Sequence, residues 1–408
     1  MGPLRYLFLD MNSYFASVEQ QDQPRLRGRP VGVLPTMVAT TCCIAASYEA
    51  KAFGVKTGTG VLDAKRLCPG IKFTLARPER YVEVHHQIIE AAESCLHIDY
   101  VCSIDEMYGK LLGVEREPEG AARVAHAVKA AIRDKVGEYV RCSIGIAPNP
   151  WLAKVATDLQ KPDGMVMILP EQMPEKICTL KLTDLPGIAD GMSIRLQRHG
   201  VHTVAQLCRL SQEQLSDIWE SKVLGSIWWH QLNAYDLPYR PTHRRTVGHS
   251  HVLPPEWRTD AGARAVMARM IHKAAARMRR IEYVASHMTT RIGYMDAPGW
   301  KRRAPLGLCA DTLTMIRTLR HVWWADKPIG TPIQVAVQLE GLVPLTSATL
   351  SLFDEPRYLT SLAGAMDRID LKYGRHTIYF GAMFGAQDTA PTRISYTQIP
   401  SAEEFRTL

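Results

Sequence analysis

Residues 4–15 read LRYLFLDMNSYF, and this stretch decides which kind of fold the chain adopts. The apolar run predicts a buried β-strand that ends in the carboxylate of Asp10. A second acidic segment, CSIDEMYGKL (102–111), alternates apolar and polar residues as half-buried strands do. It contains the adjacent pair Asp105 and Glu106. The sequence therefore predicts strands that carry acids near their ends.

Carboxylates at strand ends suit hard, oxygen-preferring cations such as Mg²⁺. Two such ions about 4 Å apart can activate a hydroxyl group and stabilise a leaving phosphate. On these residues alone the interpretation stays open, because an exposed acidic turn would contain the same side chains, Asp10, Asp105 and Glu106.

The length and composition of the chain limit its class. The 408 residues exceed one ordinary compact core and predict several domains, and 46% hydrophobic with 22% charged residues is typical of a soluble globular protein. No apolar run approaches the roughly 20 residues that span a bilayer. The N-terminus lacks a secretory apolar segment, so membrane and secreted proteins are not expected. Nine scattered cysteines without a CxxC pair favour a reducing cytoplasm.

The net charge of +8 is concentrated in one block. Residues 240–303 contain 14 Lys and Arg against 4 Asp and Glu, while the rest of the chain is slightly acidic. A basic block predicts a polyanionic partner, most simply nucleic acid, and a solvated helix face is the alternative. Apolar residues from 263 to 281 recur on one helical face. The basic residues off that stripe are Arg264, Arg269, Lys273, Arg277 and Arg280.

Patterns along the chain predict two mixed domains. Alternating strands and helices over residues 1–165 indicate an α/β or α+β domain, and short helices occupy 170–233. Residues 236–246 are rich in Pro and Arg and are predicted to be a linker. A second α+β domain follows, which is predicted to close with a helix at 357–373 and a strand at 376–383.

Four segments together resemble the Y-family translesion DNA polymerases, in particular bacterial members that are like polymerase IV or the catalytic subunit of polymerase V. They occur in the order and spacing of that family and are FLDMNSYFASVEQ (8–20), AASYEAKAFGVKTG (45–58), CSIDEMYGKL (102–111) and GIAPNPWLAKVATDLQKPDG (145–164). The resemblance covers about residues 4–385. It implies template-directed DNA synthesis of low fidelity past damaged bases.

The resemblance also implies an α+β, multidomain fold shaped like a right hand. The implied domains are a palm (1–22 and 80–165), small fingers (23–79), a helical thumb (166–234), a linker (235–246), an α+β little finger (247–386) and a C-terminal tail (387–408).

The resemblance assigns roles at the acidic site. Asp10, Asp105, Glu106 and the main-chain carbonyl of Met11 would bind two Mg²⁺ ions. Phe15 would be a steric gate, because a ring under the sugar clashes with a ribose 2′-hydroxyl. An ordinary core aromatic is the alternative for Phe15. The residues implied to contact the incoming nucleotide are Ser13, Tyr14, Phe15, Tyr48, Lys51 and Lys161.

The resemblance further implies contacts with primer–template DNA. Gly187 lies in LPGIADG (185–191), which is similar to a helix–hairpin–helix turn that binds phosphates, although a tight structural turn is the alternative. The linker and little-finger residues expected to contact DNA are Arg244, Arg245, His249, Arg302 and Arg303.

The segment TLSLF (349–353) resembles the pentapeptide by which bacterial polymerases dock on the sliding clamp. Thr349 stands in place of the usual Gln. Leu350, Leu352 and Phe353 are the predicted clamp-binding anchors, with a buried strand or turn as the alternative.

Some positions depart from the family pattern without removing the metal-binding acids. Lys51 replaces the usual Arg, Ala45 a common Thr, Gly60 a common Pro and Pro150 a common Lys. Two other functions stay open, namely a catalytically silent, polymerase-like adaptor in a DNA-damage-response complex and a metal-dependent nuclease or repair module. The chain is expected to be a monomer.

Overall fold

The computed structural model describes residues 4–237, 245–325, 329–349, 354–395 and 399–407. It divides into two compact units, Met1–Tyr239 with Ile394–Ile399 and Arg240–Arg393 with Pro400–Leu408. Within the described ranges, no helix has the length and apolar character needed to cross a membrane. The sequence predictions that fall outside the described residues concern Arg244, Leu350, Leu352 and Phe353.

The described residues of the first unit form eight strands and ten α-helices. Its strands are β1 (Tyr6–Met11), β2 (Val31–Leu34), β3 (Ala45–Ala46), β4 (Lys72–Leu75), β5 (Tyr100–Val101), β6 (Glu106–Lys110), β7 (Cys142–Ala147) and β8 (Met165–Met167). Its helices are α1 (Tyr14–Asp22), α2 (Tyr48–Lys51), α3 (Val61–Leu67), α4 (Pro78–Glu93), α5 (Pro118–Lys135), α6 (Pro150–Leu159), α7 (Asp190–Arg198), α8 (Val204–Cys208), α9 (Gln212–Ile218) and α10 (Lys222–Leu232).

A five-stranded sheet in the order β5-β6-β1-β7-β8 is the largest sheet of the first unit among the described residues. Strand β1 pairs antiparallel with both β6 and β7, and β7 pairs parallel with β8. Every residue of β1 and of β7 is buried, as the apolar run at the N-terminus predicts for a central strand. The carboxylate at the end of β1 is therefore held at the middle of the sheet rather than at its edge.

Helix α6 packs closely on this sheet. Asn149 caps its N-terminus by accepting a hydrogen bond from the N–H of Leu152, and Pro150 is its first residue, as the sequence predicts. Gly145 of β7 permits the close approach, because a Cβ atom there would lie 1.9 Å from the Ala153 carbonyl oxygen. The helix consequently packs beside β1, and its Lys154 contacts Asp10 near the end of that strand.

The rest of the first unit contains a second sheet and a group of short helices. The small sheet, in the order β3-β2-β4, lies within residues 23–79, and helices α7 to α10 lie within residues 166–234. Ile188 and Trp228 of the thumb belong to the same hydrophobic cluster as Leu152 of α6. These elements confirm the predicted α+β, multidomain fold.

The second unit is a four-stranded antiparallel sheet with helices. Its strands are β9 (Thr246–Val252), β10 (Tyr283–Tyr294), β11 (Trp300–Cys309) and β12 (Pro332–Pro344), in the order β11-β10-β12-β9. Its helices are α11 (Asp260–Arg280), α12 (Thr312–Ala325), α13 (Asp354–Tyr373) and α14 (Ala402–Thr407). The prediction of a strand at 376–383 is wrong, because these residues form no strand and Gly381–Met383 makes a 3-10 turn.

The segment predicted to be a C-terminal tail packs against α11. Arg269 Nε donates a hydrogen bond to the Gln387 carbonyl (2.9 Å), and Lys273 Nζ donates to the Ala390 carbonyl (3.3 Å). Arg269 and Lys273 are buried, as is Arg277. The apolar stripe of α11 is buried as predicted, but part of its basic face is covered as well. Part of the basic block is thus unavailable to a polyanion in this structure.

Lys273 should make the stability of the second unit depend on pH. Burial, followed by the charges of Arg269 and Arg277, lowers the pKa of Lys273 from 10.5 to about 7. Between these values the unfolded chain binds more protons than the folded chain, so the free energy of unfolding rises with pH. Below about pH 7 the residue is charged in both states, and the cost of burying the charge is present in full.

We expect Lys273→Met to raise the free energy of unfolding around α11 at pH 7 by about 1–4 kcal/mol. The variant should also flatten the rise in stability between pH 7 and pH 10.5. Hydrogen exchange of α11 amides measures both effects. The exposed residue Lys372 offers a control, Lys372→Met, which should change neither. Unchanged exchange in Lys273→Met would contradict the prediction.

Candidate active site

Strands β1 and β6 bring the three predicted carboxylates together. Asp10 lies directly opposite Glu106 in the register of the two strands, so their side chains share one face of the sheet. Asp105 immediately precedes β6, and its carbonyl accepts a hydrogen bond from the N–H of Met11 (2.8 Å). Met11 is the last residue of β1 and is buried. The chain segments that hold the four predicted metal ligands are thus neighbours.

The surroundings of Asp105 and Glu106 disfavour the ionised form of both carboxyl groups. Burial raises the pKa of Asp105, and the neighbouring charge of Asp10 adds to this effect. Burial also raises the pKa of Glu106, although Lys154 partly offsets the increase. Ser103 Oγ donates a hydrogen bond to Asp105 Oδ1 (2.6 Å). Acids gathered in this way favour a cation among them, because a cation relieves both the desolvation and the mutual repulsion.

Two lysines of the α6 region supply positive charge at this place. Lys154 Nζ donates a hydrogen bond to Asp10 Oδ2 and lies 3.0 Å from Glu106 Oε1. Lys161 Nζ donates to Asp10 Oδ2 (2.6 Å) and to Asp158 Oδ1 (2.7 Å). Burial alone would lower the pKa of Lys154, but the surrounding carboxylates raise it above its usual range. Lys154 is therefore an ammonium ion that links two of the acids.

The donor set of this site fits a divalent cation. Among the described residues, no group of three or more His, Cys, Asp and Glu side chains is arranged to hold a metal ion as it stands. The ammonium of Lys154 instead contacts both Asp10 and Glu106. One nitrogen within reach of both carboxylates marks a cation-sized position lined by oxygen atoms, which is the ligand type that Mg²⁺ prefers.

The turn from β1 into α1 lies next to the acids. Ser13 precedes α1 with a left-handed backbone (φ 48°), and its hydroxyl is buried without a hydrogen-bond partner among the described residues. The Tyr14 hydroxyl donates to the Tyr81 carbonyl (2.6 Å), so the Tyr14 ring is structural. The first N–H groups of a helix lack acceptors within the helix. The main chain at Ser13, Tyr14 and Phe15 can thus donate to an anion.

Phe15 is held in place by a stacked partner. Its ring lies parallel to that of Tyr81, with an interplanar angle of 11° and 4.3 Å between centroids. The Tyr81 hydroxyl donates to Glu19 Oε1 (2.8 Å), and the fully buried Glu19 also accepts from Arg77 Nε (2.9 Å). Phe15 is only half-buried, so one part of a rigidly supported ring faces outward.

Helix α2 begins at Tyr48 and ends at Lys51, two of the predicted nucleotide contacts. Lys51 Nζ lies 4.5 Å from the centroid of the Tyr48 ring, within the range of a cation–π contact. Burial, then the charge of Lys161, lowers the pKa of Lys51. Burial, then the carboxylates of Asp10 and Asp158, raises the pKa of Tyr48 to about 12. Because the charges of Lys161, Asp10 and Asp158 act on them, Lys51 and Tyr48 lie near these residues.

Gly187, which the sequence predicts to contact DNA, lies in a tight turn. Gly187 has a positive φ of 95°, which disfavours other residues, and a Cβ atom there would lie 3.1 Å from the Trp228 ring. Trp151 Nε1 donates to the carbonyl of Pro186 (3.0 Å) and so fixes the same turn. The turn is tight, and its packing on Trp228 also agrees with the structural alternative.

The little-finger candidates differ in exposure. Arg245, Arg302 and Arg303 are exposed, and Arg303 Nε donates to Glu340 Oε2 (3.0 Å). His249 instead faces α11, where burial and the charge of Lys273 lower the pKa of the imidazole to about 3. A neutral ring facing the helix does not support the phosphate contact that the sequence predicts for His249.

Sequence comparisons identify the family. The model of the impB/mucB/samB family matches residues 9–158, and that of its C-terminal domain matches residues 244–352. DNA polymerase IV of Pelotomaculum thermopropionicum is 31% identical over 385 residues, which cover 91% of this chain and 93% of that protein. DNA polymerase IV of Moorella thermoacetica is 32% identical over 389 residues, covering 91% and 94%.

The chain belongs to the Y-family of translesion DNA polymerases. Solved structures agree at the level of the fold. A Y-family DNA polymerase chimera of Dbh and Dpo4 superposes with a TM-score of 0.69 at 23% identity, covering 83% of this chain and 99% of that chain. The insertion ternary complex of Dbh DNA polymerase gives a TM-score of 0.55 at 23% identity with the same coverage.

Three residues of this Y-family polymerase site were not predicted from the sequence, namely Lys154, Asp158 and Tyr81. Lys154 and Asp158 lie one helical turn apart on α6, and Lys161 follows at its end, so a helical projection of this segment could have grouped them. Tyr81 lies far from Phe15 in sequence, and nothing in the residues around it indicates that the two rings stack.

Proposed function

We propose that this Y-family polymerase joins a deoxynucleotide to a primer 3′-hydroxyl at Asp10, Asp105 and Glu106, with two Mg²⁺ ions. One observation carries this proposal. The ammonium of Lys154 lies between Asp10 and Glu106, so a cation can occupy the position between these carboxylates. Two bound ions would activate the attacking hydroxyl and stabilise the leaving pyrophosphate. The carboxylates, with the carbonyl of Met11, would hold them.

The surrounding residues bind the nucleotide in this proposal. Lys161 and Lys51 donate to the triphosphate and offset the charge that develops as pyrophosphate leaves. Tyr48 donates from its hydroxyl, which stays protonated because its pKa is about 12. The N–H groups at Ser13, Tyr14 and Phe15 add donors at the start of α1. The ring of Phe15 lies under the sugar and excludes a 2′-hydroxyl.

The other two functions receive less support. A silent adaptor would not need Asp10 opposite Glu106 in register, with an ammonium ion that links the two carboxylates. A nuclease would not need Lys51, Tyr48 and Lys161 near the same acids.

The proposal extends to DNA and to a protein partner. Primer–template DNA would contact Gly187 and the exposed residues Arg245, Arg302 and Arg303, together with Arg244. Such phosphate contacts would be insensitive to sequence and sensitive to salt. The segment with Leu350, Leu352 and Phe353 would dock on a sliding clamp. We further propose that the polymerase is a monomer in the cytoplasm, where its nine free cysteines stay reduced.

Primer extension tests the proposed function. The purified full chain, given Mg²⁺ and the four deoxynucleotides, should extend a primer by the nucleotide complementary to an undamaged template. It should also extend past an abasic site or a bulky adduct. Binding of primer–template by fluorescence anisotropy is the control. Binding without any template-dependent addition would contradict the proposal and favour the silent adaptor.

A further inference from the structure

One ammonium group fills the place between the acids where a divalent cation would bind. Lys154 Nζ contacts Asp10 Oδ2 and Glu106 Oε1, and its side chain is only 17% exposed. A lone pair that accepts a hydrogen bond from the ammonium cannot serve a metal ion at the same time, and the two positive charges repel each other. A divalent cation held by these two carboxylates would therefore compete with Lys154 for them.

Asp158 can receive the displaced ammonium. It lies four residues after Lys154 on α6, so both side chains lie on one face of the helix. Asp158 Oδ2 is 3.5 Å from Lys154 Nζ, while Asp158 Oδ1 is 2.7 Å from Lys161 Nζ. One carboxylate is thus shared by two lysines, and release of either lysine leaves it free to bind the other more closely.

Lys161 links this exchange to the nucleotide. Its ammonium donates to Asp10 Oδ2 as well as to Asp158. In the proposed function, phosphate oxygens of the incoming nucleotide compete for these donors. Movement of Lys161 toward the triphosphate removes a cation from Asp10 and frees Asp158 for Lys154. Binding of the nucleotide and movement of Lys154 from Asp10 and Glu106 to Asp158 are then parts of one rearrangement.

We propose that Lys154 is a positioning residue that occupies the metal site until nucleotide arrives, and that Asp158 receives it when a divalent cation binds. The order of events rests on the proposed function. Competition between Lys154 and the cation does not, because it is a property of the chain without nucleotide or DNA.

The test measures binding of Mn²⁺ alone to the full chain, from the electron paramagnetic resonance signal of free Mn²⁺. Lys154→Met and Lys154→Gln should each raise the Mn²⁺ affinity by about 10- to 100-fold, the factor expected for one or two charge-assisted hydrogen bonds. Lys154→Arg keeps the charge and should leave the affinity low. Thermal unfolding shows whether each variant is folded.

Lys129→Met is the matched control. Lys129 is a partly buried lysine of the palm, but its Nζ donates to the Cys142 carbonyl (2.8 Å) and to Asp163 Oδ1 (2.6 Å). Its removal should leave the Mn²⁺ affinity unchanged. The proposal is overturned if folded Lys154→Met and Lys154→Gln bind Mn²⁺ no more tightly than wild type, or if Lys129→Met raises the affinity equally.

A double-mutant cycle tests the role of Asp158. Asp158→Asn should weaken Mn²⁺ binding when Lys154 is present, because the displaced ammonium loses its acceptor. In the Lys154→Met background the same change should have a much smaller effect. Equal effects in both backgrounds would contradict the role of Asp158. If the Lys154 variants bind Mn²⁺ more tightly but the wild-type chain adds no nucleotide, this inference stands and the proposed function is rejected.

Discussion

Replacement of Asp105 by Asn and of Glu106 by Gln together is expected to lower the rate of nucleotide addition by at least about 10³-fold. The amides preserve the size of the side chains but cannot supply the negative charge that holds two divalent cations. Loss of the cations removes several kcal/mol of stabilisation from the transition state, and about 4 kcal/mol corresponds to this factor. Single-turnover primer extension with saturating DNA measures the rate.

The control for this variant removes the same number of charges elsewhere. Glu93 and Asp134 are exposed carboxylates at the ends of α4 and α5. Glu93→Gln with Asp134→Asn should leave the rate within about twofold of wild type, since exposed charges contribute little. Both double variants should bind primer–template with equal affinity. Addition by the Asp105 and Glu106 variant at a tenth of the wild-type rate or more would refute their metal-binding role.

Substitution of Phe15 by Val is expected to weaken sugar selection by about 10- to 200-fold, the range that a pocket can gain by contacts with one small group. The reason is that Tyr81 supports the ring from behind, so the ring cannot move away from a ribose 2′-hydroxyl. The ratio of kcat/KM for a deoxynucleotide to kcat/KM for the matching ribonucleotide measures the effect. Insertion of deoxynucleotides should change far less.

Variants of Tyr81 test whether sugar selection depends on how the Phe15 ring is held, and not only on the presence of that ring. Tyr81→Phe keeps the stacked ring and should preserve selection, although it loses the hydrogen bond to Glu19. Tyr81→Leu removes the stacked ring and should give part of the loss seen in Phe15→Val. Phe53→Val, at an exposed position of the fingers, is the control. Unchanged selection in Phe15→Val, with deoxynucleotide kinetics intact, would show that another residue is the gate.

Strand β1 and helix α6 could be predicted from sequence because their signals are local. The apolar run that ends in Asp10 gives a buried strand, and Asn149 with Pro150 marks the start of α6. Pairing of β1 with β6 is not a local property. That pairing brings Asp10 opposite Glu106, residues that are distant in sequence. The four segments that resemble the family supplied this relation, which periodicity alone could not.

The burial of part of the basic face of α11 depends on contacts between distant segments. Arg269 and Lys273 lie off the apolar stripe of α11 and would be exposed if the helix had one buried face. The C-terminal segment covers them, and its own sequence has no apolar periodicity that would indicate packing. Its carbonyl groups at Gln387 and Ala390 accept hydrogen bonds from these cations. Such pairing of main-chain acceptors with distant cations leaves no pattern in the sequence.

Lys154 escaped prediction for a related reason. A lysine on an amphipathic helix is usually solvent-exposed, and the position of Lys154 relative to Asp10 is set by the close packing of α6 on Gly145. Only the three-dimensional structure shows that its ammonium links Asp10 to Glu106.

A crystal structure with Mn²⁺ tests the central claim most directly. The crystals would contain the full chain, a primer that lacks its 3′-hydroxyl, its template and the matching deoxynucleotide. Anomalous scattering should place Mn²⁺ among Asp10, Asp105 and Glu106, with Lys154 Nζ moved away from Glu106. Mn²⁺ bound elsewhere, while Lys154 still links Asp10 to Glu106, would contradict the account.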